Sequence, residues 1–106
     1  MDNDILLFYV TCPDTETAKK ISMTLLQEGL IACANILPGM ESFYWWEGKI
    51  DSAKEVVVIL KSSSLQSSRV IARVESLHPY NTPCILTLPI EKSSEAYVRW
   101  LKGSLF

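Results

Sequence analysis

The sequence predicts an α+β fold built on an antiparallel sheet, and three observations predict it. Short runs rich in β-branched and aromatic residues alternate with stretches of helical periodicity. A two-residue turn, Glu47-Gly48, joins two of those runs directly. The 106 residues, 48% of them apolar, suffice for one domain, expected at 1–106, with a radius of gyration of about 13 Å.

Ile5-Leu6-Leu7-Phe8-Tyr9-Val10-Thr11 reads as a first strand, apolar on both faces and stopped by Pro13. Asp14 is placed to N-cap a helix that buries Ala18, Ile21, Ser22 and Leu25, and Gly29 ends it in a left-handed conformation with Leu30 folding back. Ile31 to Trp46 forms one long strand bulged at Pro38-Gly39. With Glu47 and Gly48 central in the turn, Trp46 faces Lys49, Trp45 faces Ile50, and Glu41 faces Lys54 as a cross-strand ion pair. The returning strand runs from Ile50 to Leu60. Ser63 and Gln66 have the spacing of a capping box for a second helix with Val70, Ile71, Val74 and Leu77 on one face, stopped before Pro79. Cys84 to Leu88 forms the fourth strand. Ser93 or Ser94 caps a last helix that turns Ala96, Tyr97, Trp100 and Leu101 inward and ends near Gly103.

This β-α-β-β-α-β order plus a C-terminal helix is the ferredoxin-like plan, with two helices on one face of the sheet. Strands one and four are expected at the edges, so Cys12 and Cys84 need not be close within one chain, although an oligomer would let other copies bring thiols near. Helices cover only one face, yet strands one and three are apolar on both. A second copy of the chain is the economical cover, so a homo-oligomer is expected.

Charge and composition exclude several classes. Ten basic against 12 acidic residues give a net charge of −2 and a pI near 5.3, which lacks the footprint of a nucleic-acid binder. The apolar run Ile5 to Val10, behind Met1-Asp2-Asn3-Asp4, is too short for a membrane span and wrongly flanked for a signal peptide, so a cytoplasmic protein is expected. Cys12, Cys33 and Cys84 include no C-x-x-C and read as reduced thiols. No phosphate loop, carboxylate pair or nucleophile motif points to an enzyme.

Two segments carry candidate function. Tyr44-Trp45-Trp46-Glu47-Gly48-Lys49 suits a subunit anchor or a small-molecule pocket, with the anchor preferred. His78-Pro79-Tyr80-Asn81-Thr82-Pro83 is a stiff loop bearing the only histidine, which either holds the loop by hydrogen bonds or ligates a metal. Cys84 and Cys12 are the thiols at hand, and soft thiolates with an imidazole favour copper or zinc. Cys33 is expected as a small core residue.

The segments Ile31 to Gly39, Tyr44 to Lys49, Ile59-Leu60-Lys61 and His78 to Pro83, in this order, resemble the CutA divalent-cation tolerance family along essentially the whole chain. The resemblance implies a ferredoxin-like subunit in a homotrimer similar to the nitrogen-signalling PII proteins, with the long hairpin reaching neighbouring subunits. It also implies copper or another divalent cation as ligand, with His78 in the position of a proposed copper ligand. This chain departs from some bacterial members in having Leu77 before that histidine, Cys12 offset by two positions, and Cys84 in place of an acid. The expected metal set is therefore His78, Cys84 and Cys12. The expected intersubunit pocket is Tyr44, Trp46, Glu47, Lys49 and Tyr80. Alternatives are a PII-like small-molecule sensor using Tyr44, Trp46, Lys49 and His78, or a protein-docking scaffold.

Overall fold

A computed structural model describes residues 4–106, so the Met1-Asp2-Asn3 lead lies outside the described residues. The elements are β1 (Ile5–Cys12), α1 (Thr15–Gln27), β2 (Cys33–Trp46), β3 (Lys49–Ser63), α2 (Ser67–Leu77), β4 (Ile85–Pro89) and α3 (Glu95–Gly103), with a 3-10 turn at Ser64–Gln66 before α2. The strands form one antiparallel sheet in the order β2-β3-β1-β4.

Local chemistry accounts for the element ends. Asp14 accepts the Thr17 amide at 2.8 Å and starts α1. Gly29, at φ 72°, closes it: its amide bonds the Leu26 carbonyl while that of Leu30 reaches Leu25, the paired bonds of a Schellman end. Glu47 and Gly48, at φ 49° and 78°, make the type I′ turn whose twist suits a hairpin. The register is as expected, with a bulge between Leu37 and Met40. Strands of 14 and 15 residues span about 3.3 Å each per residue, and they set the 45 Å long axis. The radius of gyration, 14.5 Å, exceeds the value for a rounder chain of this length for the same reason.

Directly paired residues share a face, so the register divides the sheet. One face presents Phe8, Val10, Cys12, Val56, Val58 and Leu60 to Ala18, Ile21 and Leu25 of α1 and Val70 and Val74 of α2. The other presents Leu7, Tyr9, Val57, Ile59, Leu37, Leu86 and Leu88. There α3 covers only one end, where Leu101 packs with Ile5 and Ala32. Leu37, Leu86 and Leu88 are left about half exposed, as are Trp46 and Trp100. Contiguous exposed apolar surface of this kind marks an interaction site in soluble proteins.

Five expectations are corrected. Strand β1 is central and the edges are β2 and β4, because the crossovers through α1 and α2 place β3 and β4 on either side of β1. The capping box does not form. Gln66 adopts a helical conformation without a side-chain cap, and its amide donates instead to the Phe106 carbonyl at 3.2 Å. In α3, Leu101 and Val98 turn inward while Ala96, Tyr97 and Trp100 face solvent; Tyr97 packs on Trp100 with Lys61 over its ring. Glu41 and Lys54 are paired in register but make no ion pair, both side chains being solvated on the hairpin. Cys33 pairs with Lys61 on the second face and is half-buried rather than in the core.

Candidate functional site at the His-Pro-Tyr loop

The central position of β1 brings its C-terminal end beside the loop between α2 and β4. His78 caps α2 in an extended conformation (φ −83°, ψ 137°), the geometry that a following proline imposes. Its ring is buried. Nε2 lies 2.8 Å from the Thr11 carbonyl oxygen, and the Tyr80 amide donates to Nδ1 at 3.2 Å. Pro79 between them has no N–H to compete. The Tyr80 ring packs against the imidazole with centroids 4.8 Å apart, and its hydroxyl donates to Glu55 Oε2 at 3.1 Å.

Glu55 joins these groups electrostatically. Burial, then the hydrogen bond and negative charge of Glu55, push the Tyr80 phenol up to about 12. Burial, then Asp14 and Glu55, push the Cys12 thiol up to about 11. Burial and Glu55 also raise Cys84, with Thr11 pulling the other way. Both thiols therefore keep their protons near neutral pH, and a thiophilic cation must displace them.

Of the expected metal set, the structure brings both His78 and Cys84 to Thr11, with Cys12 next in β1. Yet among the described residues no three His, Cys, Asp or Glu side chains converge to hold a metal. The described donors of one chain therefore do not fit a complete cation site. Of the expected pocket, Trp46, Glu47 and Lys49 line an open hollow of about 490 Å³ at the hairpin tip with Ile50 and Asp51. Tyr80 instead sits by Glu55, where Tyr44 also contributes to its shift.

Sequence reasoning missed Glu55 and Thr11. Counting back from the turn puts Glu55 opposite Met40, on the face of Tyr44, which was an available signal. Thr11 acts through its backbone carbonyl and left none.

Comparison with known proteins decides the family. Residues 6–104 match the family model of the CutA1 divalent ion tolerance protein. The chain belongs to the CutA1 family. It is 44% identical over 97 residues to the divalent-cation tolerance protein CutA of Pyrococcus horikoshii, covering 92% of this chain and 94% of that one. It is 40% identical over 99 residues to a chloroplastic CutA of Arabidopsis thaliana, covering 93% of this chain and 54% of that longer protein. The crystal structure of CutA from Xylella fastidiosa superposes with a TM-score of 0.95 at 34% identity, covering 97% and 99% of the two chains. The four-stranded sheet and three helices are thus those of solved CutA1 proteins, and the Pyrococcus relative is named for divalent-cation tolerance. Among the described residues no helix is long and apolar enough to cross a membrane.

Proposed function

We propose that this chain is a single-domain subunit of a homotrimeric divalent-cation tolerance protein. In this reading the trimer is PII-like, works in the cytoplasm, and takes up copper or another divalent cation between subunits. The observation that carries it is the uncovered second face. Leu37, Leu86, Leu88 and Trp46 share that face and are each about half exposed, while the register turns Phe43 and Trp45, each more than 70% exposed, to the other side of the hairpin. A cyclic assembly would bury this surface and let the 45 Å molecule contact both neighbours through its hairpin.

Family membership supports the cation part, as does the donor chemistry of the loop. Cys84 and Cys12 are soft ligands beside the Glu55 carboxylate. His78 could add Nδ1 only by giving up the Tyr80 amide. Because the described residues of one chain do not complete a site, the remaining ligands would come from a neighbouring copy. The free cysteines suit a reducing compartment.

The test is a native mass spectrum of reduced, tag-free protein with one copper equivalent per chain and a competing chelator. The reading expects a trimer holding copper, with the metal lost in Cys84→Ser. A trimer that takes no copper, zinc or other divalent ion from the chelator would overturn the cation part.

A further inference from the structure

The one histidine of this chain is placed as a clamp. A carbonyl oxygen has no proton to give, so Nε2, 2.8 Å from the Thr11 oxygen, must carry the hydrogen. Nδ1 is then the acceptor, and the Tyr80 amide fills it at 3.2 Å. A metal-binding imidazole presents one nitrogen's lone pair to the metal and donates from the other. This ring already donates from one nitrogen and accepts at the other, and only 8% of the residue is exposed.

Its neighbours show what the clamp holds. Thr11 lies on β1, Tyr80 on the loop, and Glu55, which accepts the Tyr80 hydroxyl at 3.1 Å, on β3. The imidazole thus stands in an unbroken chain of hydrogen bonds and covalent links from the centre of the sheet to a carboxylate on its second face. Pro79 stiffens the step between His78 and Tyr80.

We infer that His78 is a positioning residue and not a cation ligand: locked as the Nε2–H tautomer, it ties the loop to β1 and delivers the Tyr80 hydroxyl to Glu55. The inference holds whether or not the protein binds a cation. Any cation must then be met by the thiols and carboxylates around the loop, and His78 holds only the loop and the Tyr80 hydroxyl in place.

One histidine per chain makes the test direct. In a long-range proton–nitrogen NMR correlation of uniformly labelled protein, the ring nitrogens belong to His78 alone. The expected result is the Nε2–H tautomer near neutral pH, with both nitrogen shifts unchanged on titration with zinc or copper(I), which are diamagnetic. An Nδ1–H tautomer in the metal-free protein would overturn the inference. So would a ring nitrogen moved to a coordinated shift by either metal. A second arm uses His78→Ala. Its alkaline tyrosine titration should lose the late component assigned to Tyr80, while the native mass spectrum keeps the wild-type cation count. A folded assembly that loses its cation in this variant would contradict the positioning role. The cation count of the wild type in the same spectrum separately reports on the proposed function.

Discussion

The Tyr80 hydroxyl donates to the Glu55 carboxylate at 3.1 Å, joining a loop to a strand 25 residues away in sequence. Neither residue belongs to the family's name-giving chemistry, yet Glu55 acts on Tyr80, Cys12 and Cys84 alike. Tyr80→Phe removes the hydroxyl and little else. It should destabilise the protein by about 1 kcal/mol, the scale of a partly solvated hydrogen bond to a charged acceptor. Urea unfolding midpoints at fixed protein concentration would measure it.

Alkali should destabilise the fold. Cys12 rises from 9.0 to about 11 and Tyr80 from 10.0 to about 12, so the folded state holds both protons more tightly than the unfolded chain. Their contribution is fully present below pH 9 and is lost as pH rises toward 12. Denaturation midpoints measured across that range should fall. The fall should be shallower in Cys12→Ala, whatever that variant's stability at neutral pH.

Gly29→Ala should cost about 1 kcal/mol through the left-handed conformation that the end of α1 requires. A Cβ there also meets the Phe106 ring, which must move. Loss of the α1 end is read by faster amide exchange at Leu30, whose N–H bonds Leu25.

Leu101→Ala removes the only fully buried side chain of α3, which packs with Ile5 and Ala32 on the second face. Leucine truncations in such surroundings cost about 2–5 kcal/mol, depending on how far the site collapses. Thermal unfolding at matched concentration would show the loss, whereas Ala96→Ser, on the exposed side of the same helix, should leave the midpoint unchanged.

Local and pairwise signals made much of this fold legible in the residues. Asp14, Gly29 and the Glu47-Gly48 turn each specify a backbone geometry within a few positions, and the turn alone determines the register down to Glu41 opposite Lys54. Strand order is a property of crossovers rather than of any strand, so the central place of β1 was hidden, and with it the approach of Cys84 to Thr11. The α3 face was misread because Tyr97 and Trp100 are large and apolar enough to mimic core, while the sheet end beneath them has room for Leu101 and Val98. At the candidate site, His78 stood out as the only histidine, on a stiff loop that also carries Tyr80. The Thr11 carbonyl that orients the imidazole is a backbone atom, which no side-chain pattern reveals.

The proposed assembly, and the cation site placed between its subunits, depend on the second face of the sheet being covered by copies of the chain. Sedimentation equilibrium of the reduced, tag-free protein at low micromolar concentration tests that most directly. The expected result is one species of three times the 11.9 kDa chain mass, dissociating when Trp46 and Leu86 are replaced by serine. A stable, folded species of 11.9 kDa would contradict it, leaving the apolar face and hairpin uncovered by any copy of the chain.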